Sequence, residues 1–328
     1  MHGDFVLYWM TAARRTRFNF GLEHAAALAR ELGKGLVVLE ALRCDYTHAS
    51  ARLHAFVIQG MSDNYRALRA TPVLYYPYLE PKPGAGKGLL AAWAAKASLV
   101  VCDWFPCFFI PRMLAAAAKR TPVRMEAVDS CGLIPLAAPG KLFARAYDFR
   151  RWLQKNLPGF LAESPAADPL AGYAGPRTHA PKTIAQRWPR AEGRKLASNT
   201  ALNGIKIPAG PQPVEARGGC QTGEKAWQRF LDGSLAGYVQ ERNQPEPGVT
   251  SGLSPYLHFG HISAHQIFWE LAEGEEWTPQ HLGPETKGRR EGWWGMSASA
   301  EAFLDQIVTW RELGYNFCQM RADYNHYE

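Results

Sequence analysis

The first 130 residues contain five short apolar runs separated by helical patterns, and this alternation constrains the fold more than any other feature of the chain. Phe5–Trp9, Gly35–Leu39, Val73–Tyr76, Ser98–Cys102 and Val123–Val128 read as strands, being short and rich in Val, Leu and Tyr. Helical patterns over Asn19–Leu32, Ser50–Leu68, Gly88–Ala97 and Pro111–Lys119 fill the gaps, with Gly33 suited to cap the first of them. Continuous apolar strands joined by helices require parallel pairing through right-handed crossovers, with both faces of the sheet covered. The pattern predicts an N-terminal α/β domain over residues 1–140 with a Rossmann-like parallel sheet. Ligands of such sheets sit at the carboxyl ends of the strands, where the strand order reverses. Trp9, Met10, Ala41 and Asp103 stand at those ends, with packing or turn formation as the alternative for each.

The character changes from Leu157 to Gly223, where Pro, Ala, Gly and Arg dominate and periodicity is weak. This predicts an interdomain linker, drawn as residues 141–222. Helical patterns then return at Glu224–Leu231, His261–Ala272 and Ala300–Phe317, with no strand candidate among them. Residues 223–328 are therefore expected to begin an all-α domain.

Bulk properties set the partners in outline. A formal charge of +7 favours polyanions, because Lys and Arg that neutralise phosphates release counterions. Cys44, Cys102, Cys107, Cys131, Cys220 and Cys318 form no CxxC pair and no zinc pattern, so neither a metal site nor a disulfide framework is expected. No leader-like segment precedes the first strand, and no run approaches the roughly 18 apolar residues of a membrane span. A cytoplasmic monomer without membrane contact is the expectation. Pro83-Gly84-Ala85-Gly86-Lys87-Gly88 suggests a phosphate loop, but Pro81 stands where the first Gly belongs and Gly88 where Ser or Thr belongs. A flexible turn entering a helix is the better reading.

The most informative stretch is Thr250-Ser251-Gly252-Leu253-Ser254-Pro255-Tyr256-Leu257-His258-Phe259-Gly260. Hydroxyls and amides gathered around a Gly can hold phosphate oxygens, although an ordinary loop and helix start share that composition. Together with His261-Ile262-Ser263, it closely resembles the flavin-phosphate segment of the DNA photolyase and cryptochrome family. Val6-Leu7-Tyr8-Trp9-Met10 resembles the opening strand of class II photolyases. Phe303-Leu304-Asp305-Gln306-Ile307-Val308-Thr309-Trp310-Arg311-Glu312-Leu313, continued by Asn316-Phe317-Cys318, resembles their central flavin-domain helix. The matches occur in order across nearly the whole chain.

The resemblance implies that the helical domain binds FAD, and that the α/β domain can hold an antenna chromophore such as a deazaflavin or methenyltetrahydrofolate. It assigns flavin contacts to Tyr238, Thr250, Ser251, Gly252, Leu253 and Ser254, chiefly through the diphosphate. Arg311 is assigned either to the flavin or to a pair with Glu312 or Asp305. Gln306 stands where members commonly carry Glu facing the lesion; its amide can bind a pyrimidine carbonyl but supplies neither proton nor charge. Trp310, one turn on, is read as stacking on an extruded base or as filling the core. The implied reaction is light-driven repair of cyclobutane pyrimidine dimers in DNA, with Lys287, Arg289, Arg290 and Arg321 read either as phosphate contacts or as ordinary solvated surface charges. Trp293 and Trp294 read as a loop brace rather than a lesion pocket. Members continue beyond the position of Glu328 with further helices of the flavin pocket, so weak FAD binding is expected of this polypeptide alone. A cryptochrome-like photoreceptor without repair is the alternative, and a plain α/β nucleotide-binding module is a third reading, which leaves the Thr250–Gly260 match unexplained.

Overall fold

A computed structural model of the chain describes residues 3–246 and 248–326. Strands β1 (Phe5–Trp9), β2 (Gly35–Leu42), β3 (Leu74–Leu79), β4 (Ala97–Trp104) and β5 (Met125–Asp129) alternate with helices α1 (Phe20–Glu31), α2 (Ala51–Leu68), α3 (Leu89–Ala94) and α4 (Ile110–Ala118). All pairings are parallel and the order is β3-β2-β1-β4-β5, so the strand order reverses between β1 and β4. Alternate residues feed two separate cores. Phe5, Leu7 and Trp9 pack with Trp93 and Leu114 on one face, whereas Val6, Tyr8 and Met10 pack with Leu22, Ala25 and Ala29 of α1 on the other. Burial on both faces is the physical reason that these strands read as unbroken apolar runs. Strand β3 extends past the expected Tyr76 through Pro77, which a sheet edge tolerates because no ladder bond from its nitrogen is needed.

Local chemistry sets the helix ends. The Asn19 side chain accepts the Leu22 amide at 3.0 Å to start α1. At the other end Lys34 N donates to Ala29 O and Gly33 N to Arg30 O, with Gly33 at φ 62, a left-handed stop that glycine adopts without strain.

The second half is helical, and among the described residues no strand follows Asp129. Its elements are α5 (Ala146–Phe160), α6 (Lys182–Arg187), α7 (Gly193–Leu196), α8 (Cys220–Arg229), α9 (Tyr238–Glu241), α10 (Ser254–His258), α11 (Ala264–Gly274), α12 (Ala298–Leu304) and α13 (Arg311–Met320). Two expectations change here. The span assigned to a linker opens with α5, a four-turn helix whose Phe149, Leu153 and Leu157 enter the same core as Phe268, Phe303 and Leu304. Its apolar positions recur every four residues, a period masked in the sequence by Pro158. The helix expected over Ala300–Phe317 is interrupted by a π-helical segment, Asp305–Trp310, in which the Arg311 amide bonds back to Gln306 O. Such π segments occur frequently at functional sites.

Candidate functional site

The Thr250–Ser254 segment is a loop pinned at two points and open between them. Val249 and Leu253 are buried, and Leu253 joins the helical core. Between them Gly252 takes φ 65, and a Cβ added there would meet nothing within 4 Å. Ser251 Oγ accepts the Leu253 amide at 3.4 Å. Thr250 and Ser254 are exposed, and among the described residues their hydroxyls have no protein partner. The loop therefore turns spare hydroxyls outward at the start of α10, with Pro255 in its first turn.

Tyr238 is buried rather than exposed: its ring stands edge-on to Phe230 at 5.5 Å and to Phe303 at 5.6 Å, with Arg242 over it at 5.7 Å. Through Phe303 it leans on α12, the turn before the π segment. Gln306 is half-buried, and its amide has no partner among the described residues. Trp310 is 51% exposed, which decides against core filling. Neighbouring Asp305 points inward and binds Arg150 of α5 at 2.9 Å, and Arg150 also donates to Gly288 O. This pair, with Asp305 buried and Arg150 partly so, holds the π segment from behind. Sequence reasoning missed Arg150 because it lay in the presumed linker. The apolar spacing of α5 was the available signal.

Arg311 forms neither of the ion pairs considered for it. Its guanidinium donates to Cys131 O at 2.7 Å and lies 4.7 Å over the Tyr315 ring. It borders a cleft between sheet and helices that Leu257 of α10 also borders. Beside it, Glu312 is buried and accepts the Leu133 amide at 2.7 Å, and burial pushes its carboxyl up to about 8. Arg15 closes the seam, donating to Gly260 O and Ser130 O at 3.2 Å each.

The strand ends at the reversal point are filled from within. The Asp103 carboxylate accepts the Tyr8 hydroxyl at 2.6 Å and the amides of Thr11, Ala12 and Ala13 at 2.7 to 3.0 Å. Arg15 is buried beside them, and Asp103, Ala12 and Ala13 border the same cleft as Arg311. Asp103, Trp9 and Met10 organise the turn and core there. At the ends of β2 and β3, Cys44, Asp45 and Glu80 bring ligand atoms within 4.8 Å of one another. Glu80 already accepts the Gly86 and Cys44 amides at 2.9 and 3.2 Å, and burial pushes the Cys44 thiol up to about 11, so protein donors account for the cluster.

Lys287, Arg289, Arg290 and Arg321 are exposed. Lys287 pairs with Glu285, Arg290 with Glu291 and Arg321 with Asp323, while Arg289 carries no ion pair among the described residues. Exposed pairs of this kind are worth under about 1 kcal/mol and yield readily to phosphate. Trp293 and Trp294 are buried, and the Trp277 indole donates to Trp294 O at 2.6 Å, the arrangement of a brace.

No family model matches the chain. Its sequence is 27% identical over 334 residues to a deoxyribodipyrimidine photo-lyase of Arabidopsis thaliana, covering 98% of this chain and 60% of that one. A protein of the same name from Methanothermobacter thermautotrophicus is 25% identical over 330 residues, covering 99% and 64%. The fold matches the crystal structure of a bacterial class III photolyase from Agrobacterium tumefaciens with a TM-score of 0.68 at 18% identity, over 98% of this chain and 60% of that one. Sequence relatives over nearly the whole chain and structural neighbours together support membership of the photolyase/cryptochrome family. The chain spans roughly three fifths of the length of these family relatives. The family's fold, an N-terminal α/β domain and a helical domain, is the one described above. Among the described residues no helix is long and apolar enough to cross a membrane.

Proposed function

We propose that the chain carries the flavin-phosphate and lesion-facing parts of a deoxyribodipyrimidine photolyase, acting on cyclobutane pyrimidine dimers in DNA. The observations that carry the reading are an open hydroxyl loop at Thr250–Ser254 and, on the π segment, a half-buried Gln306 with an amide unpartnered among the described residues, beside the exposed Trp310. Thr250, Ser251 and Ser254 suit the diphosphate of FAD, since their hydroxyls donate and Gly252 leaves room for close approach. The chemistry that FAD supplies when bound is donation of one electron to the dimer under blue light and its recovery once the ring has opened. The chain's own contribution is orientation. Trp310 offers a face on which an extruded base stacks, and Gln306 an amide N–H for a pyrimidine carbonyl. Arg289, Arg290, Lys287 and Arg321 supply the phosphate contacts that hold the duplex.

A cryptochrome-like photoreceptor is the second reading, and Gln306 favours it: a neutral amide brings no charge or proton to the lesion. The test is anaerobic illumination of a dimer-containing oligonucleotide with the protein and reduced FAD. Recovery of separate pyrimidines is expected. Flavin binding with no recovery would reject repair and leave the photoreceptor.

A further inference from the structure

The loop that carries Arg289 and Arg290 is pinned at both ends by buried side chains. At its start Gly288 N donates to Gln154 Oε1 at 2.7 Å, and Gln154 Nε2 donates to Arg289 O at 2.8 Å, with Gln154 buried on α5. At its end the buried Glu301 of α12 accepts the Gly292 amide and, at 2.9 Å, the Gly295 amide. Between this loop, α5 and the π segment lies a narrow recess bordered by Arg150, Arg289, Arg290, Trp293, Asp305 and Thr309. Its free polar groups are chiefly donors. The Trp293 indole N–H and the Thr309 hydroxyl belong to buried residues and have no protein partner among the described residues, and Arg289 carries no ion pair there. Asp305, the carboxylate on this border, is already matched by Arg150 at 2.9 Å, so Arg289 leaves the recess positive.

We propose that this recess is a phosphate subsite of a nucleic-acid interface, taking one oxygen of a backbone phosphodiester. Its enclosed space holds about one water-sized atom, which excludes a base or a sugar and admits a single phosphate oxygen. Buried donors left without an acceptor are costly, so the recess calls for an acceptor. An anionic oxygen answers the neutral donors and the guanidinium together, whereas water brings two hydrogen atoms into a site short of acceptors. Gln154 and Glu301 are positioning residues: they touch no phosphate and fix the loop that does. Thr309 immediately precedes Trp310 on the π segment, so the inference rests on, and extends, the reading of that ring as a platform for a base.

The test is fluorescence anisotropy of the full chain with a labelled, undamaged single-stranded oligonucleotide, without flavin or light, from about 50 to 200 mM salt. Thr309→Val keeps the shape and loses the hydroxyl; it is expected to weaken binding about tenfold at every salt concentration, and Thr309→Ser to restore it. Arg289→Ala is expected to lower the slope of log affinity against log salt by about 0.7, the value of one single-strand phosphate contact. Unchanged affinity in Thr309→Val, whatever Arg289→Ala does, leaves only a surface charge and overturns the proposal, as does absence of binding by the unaltered chain. Binding of inorganic phosphate that responds to these substitutions while the oligonucleotide does not would assign the recess to a free anion and overturn it equally. Failure of the base platform shows differently: Trp310→Ala then leaves the affinity unchanged while Thr309→Val and Arg289→Ala still act, and the subsite stands.

Discussion

At the scale of single residues, exposure and partnership separate candidates that sequence leaves equal. Trp294, in the segment before α12, is buried and bonded through its carbonyl, while Trp310, in the π segment, is half open. Base stacking is worth roughly 1–3 kcal/mol. Trp310→Ala is accordingly expected to weaken binding of a dimer-containing oligonucleotide by about 5- to 150-fold, measured by fluorescence anisotropy, with the urea midpoint nearly unchanged. A core role would instead show as lost stability. Glu312 makes a second residue-scale prediction. Its folded carboxyl titrates near 8, above the usual carboxylate value, so the folded state holds a proton that the unfolded state releases. Its contribution is fully present below the unfolded value and is lost as pH rises toward 8. Urea midpoints of the unaltered chain should carry this falling component between about pH 5 and 8, and Glu312→Gln should remove it. Neither the exposure of Trp310 nor the burial of Glu312 was legible in sequence, because both depend on which helix face meets the sheet.

At the scale of elements, the parallel strands were legible because burial on both faces writes itself as unbroken apolar runs. The π segment was not. Its Asp305–Trp310 backbone follows from packing against α5, through Arg150 and Asp305, rather than from local propensity. The helix α5 was missed because Pro158 and the following Pro-rich stretch drew the boundary too early. Removing one member of a buried ion pair leaves the other charge uncompensated, at a cost of about 3–5 kcal/mol. Arg150→Ala should therefore lower thermal stability, read by calorimetry, and should loosen Gln306 and Trp310, read as faster amide exchange across residues 305–311. Gly260 marks the junction of α10 with the sheet. At φ 71, with an added Cβ only 1.8 Å from Ala12 O, it cannot accept a side chain without displacing the loop after β1. Gly260→Ala should consequently cut soluble yield or thermal stability more than Gly252→Ala, whose Cβ has open space.

At the scale of the whole molecule, the four matched segments occur in order along the chain: the opening strand, the Thr250–Gly260 loop, the central helix and its continuation. That order made the family legible at 25–27% identity, where any single segment would pass for an ordinary loop or helix. The seam between sheet and helices was not legible, since Arg15, Gly260 and Cys131 meet there from three distant parts of the chain. The central claim is that Thr250–Ser254 is a flavin-phosphate loop, and equilibrium titration of the purified 328-residue chain with FAD tests it most directly. Saturable binding is predicted, reduced at least about tenfold in a Thr250→Ala/Ser254→Ala variant that keeps its fold, since hydrogen bonds to charged groups are worth about 1.5–3 kcal/mol each. Absence of saturable binding, or an affinity that the double substitution leaves unchanged, would contradict it.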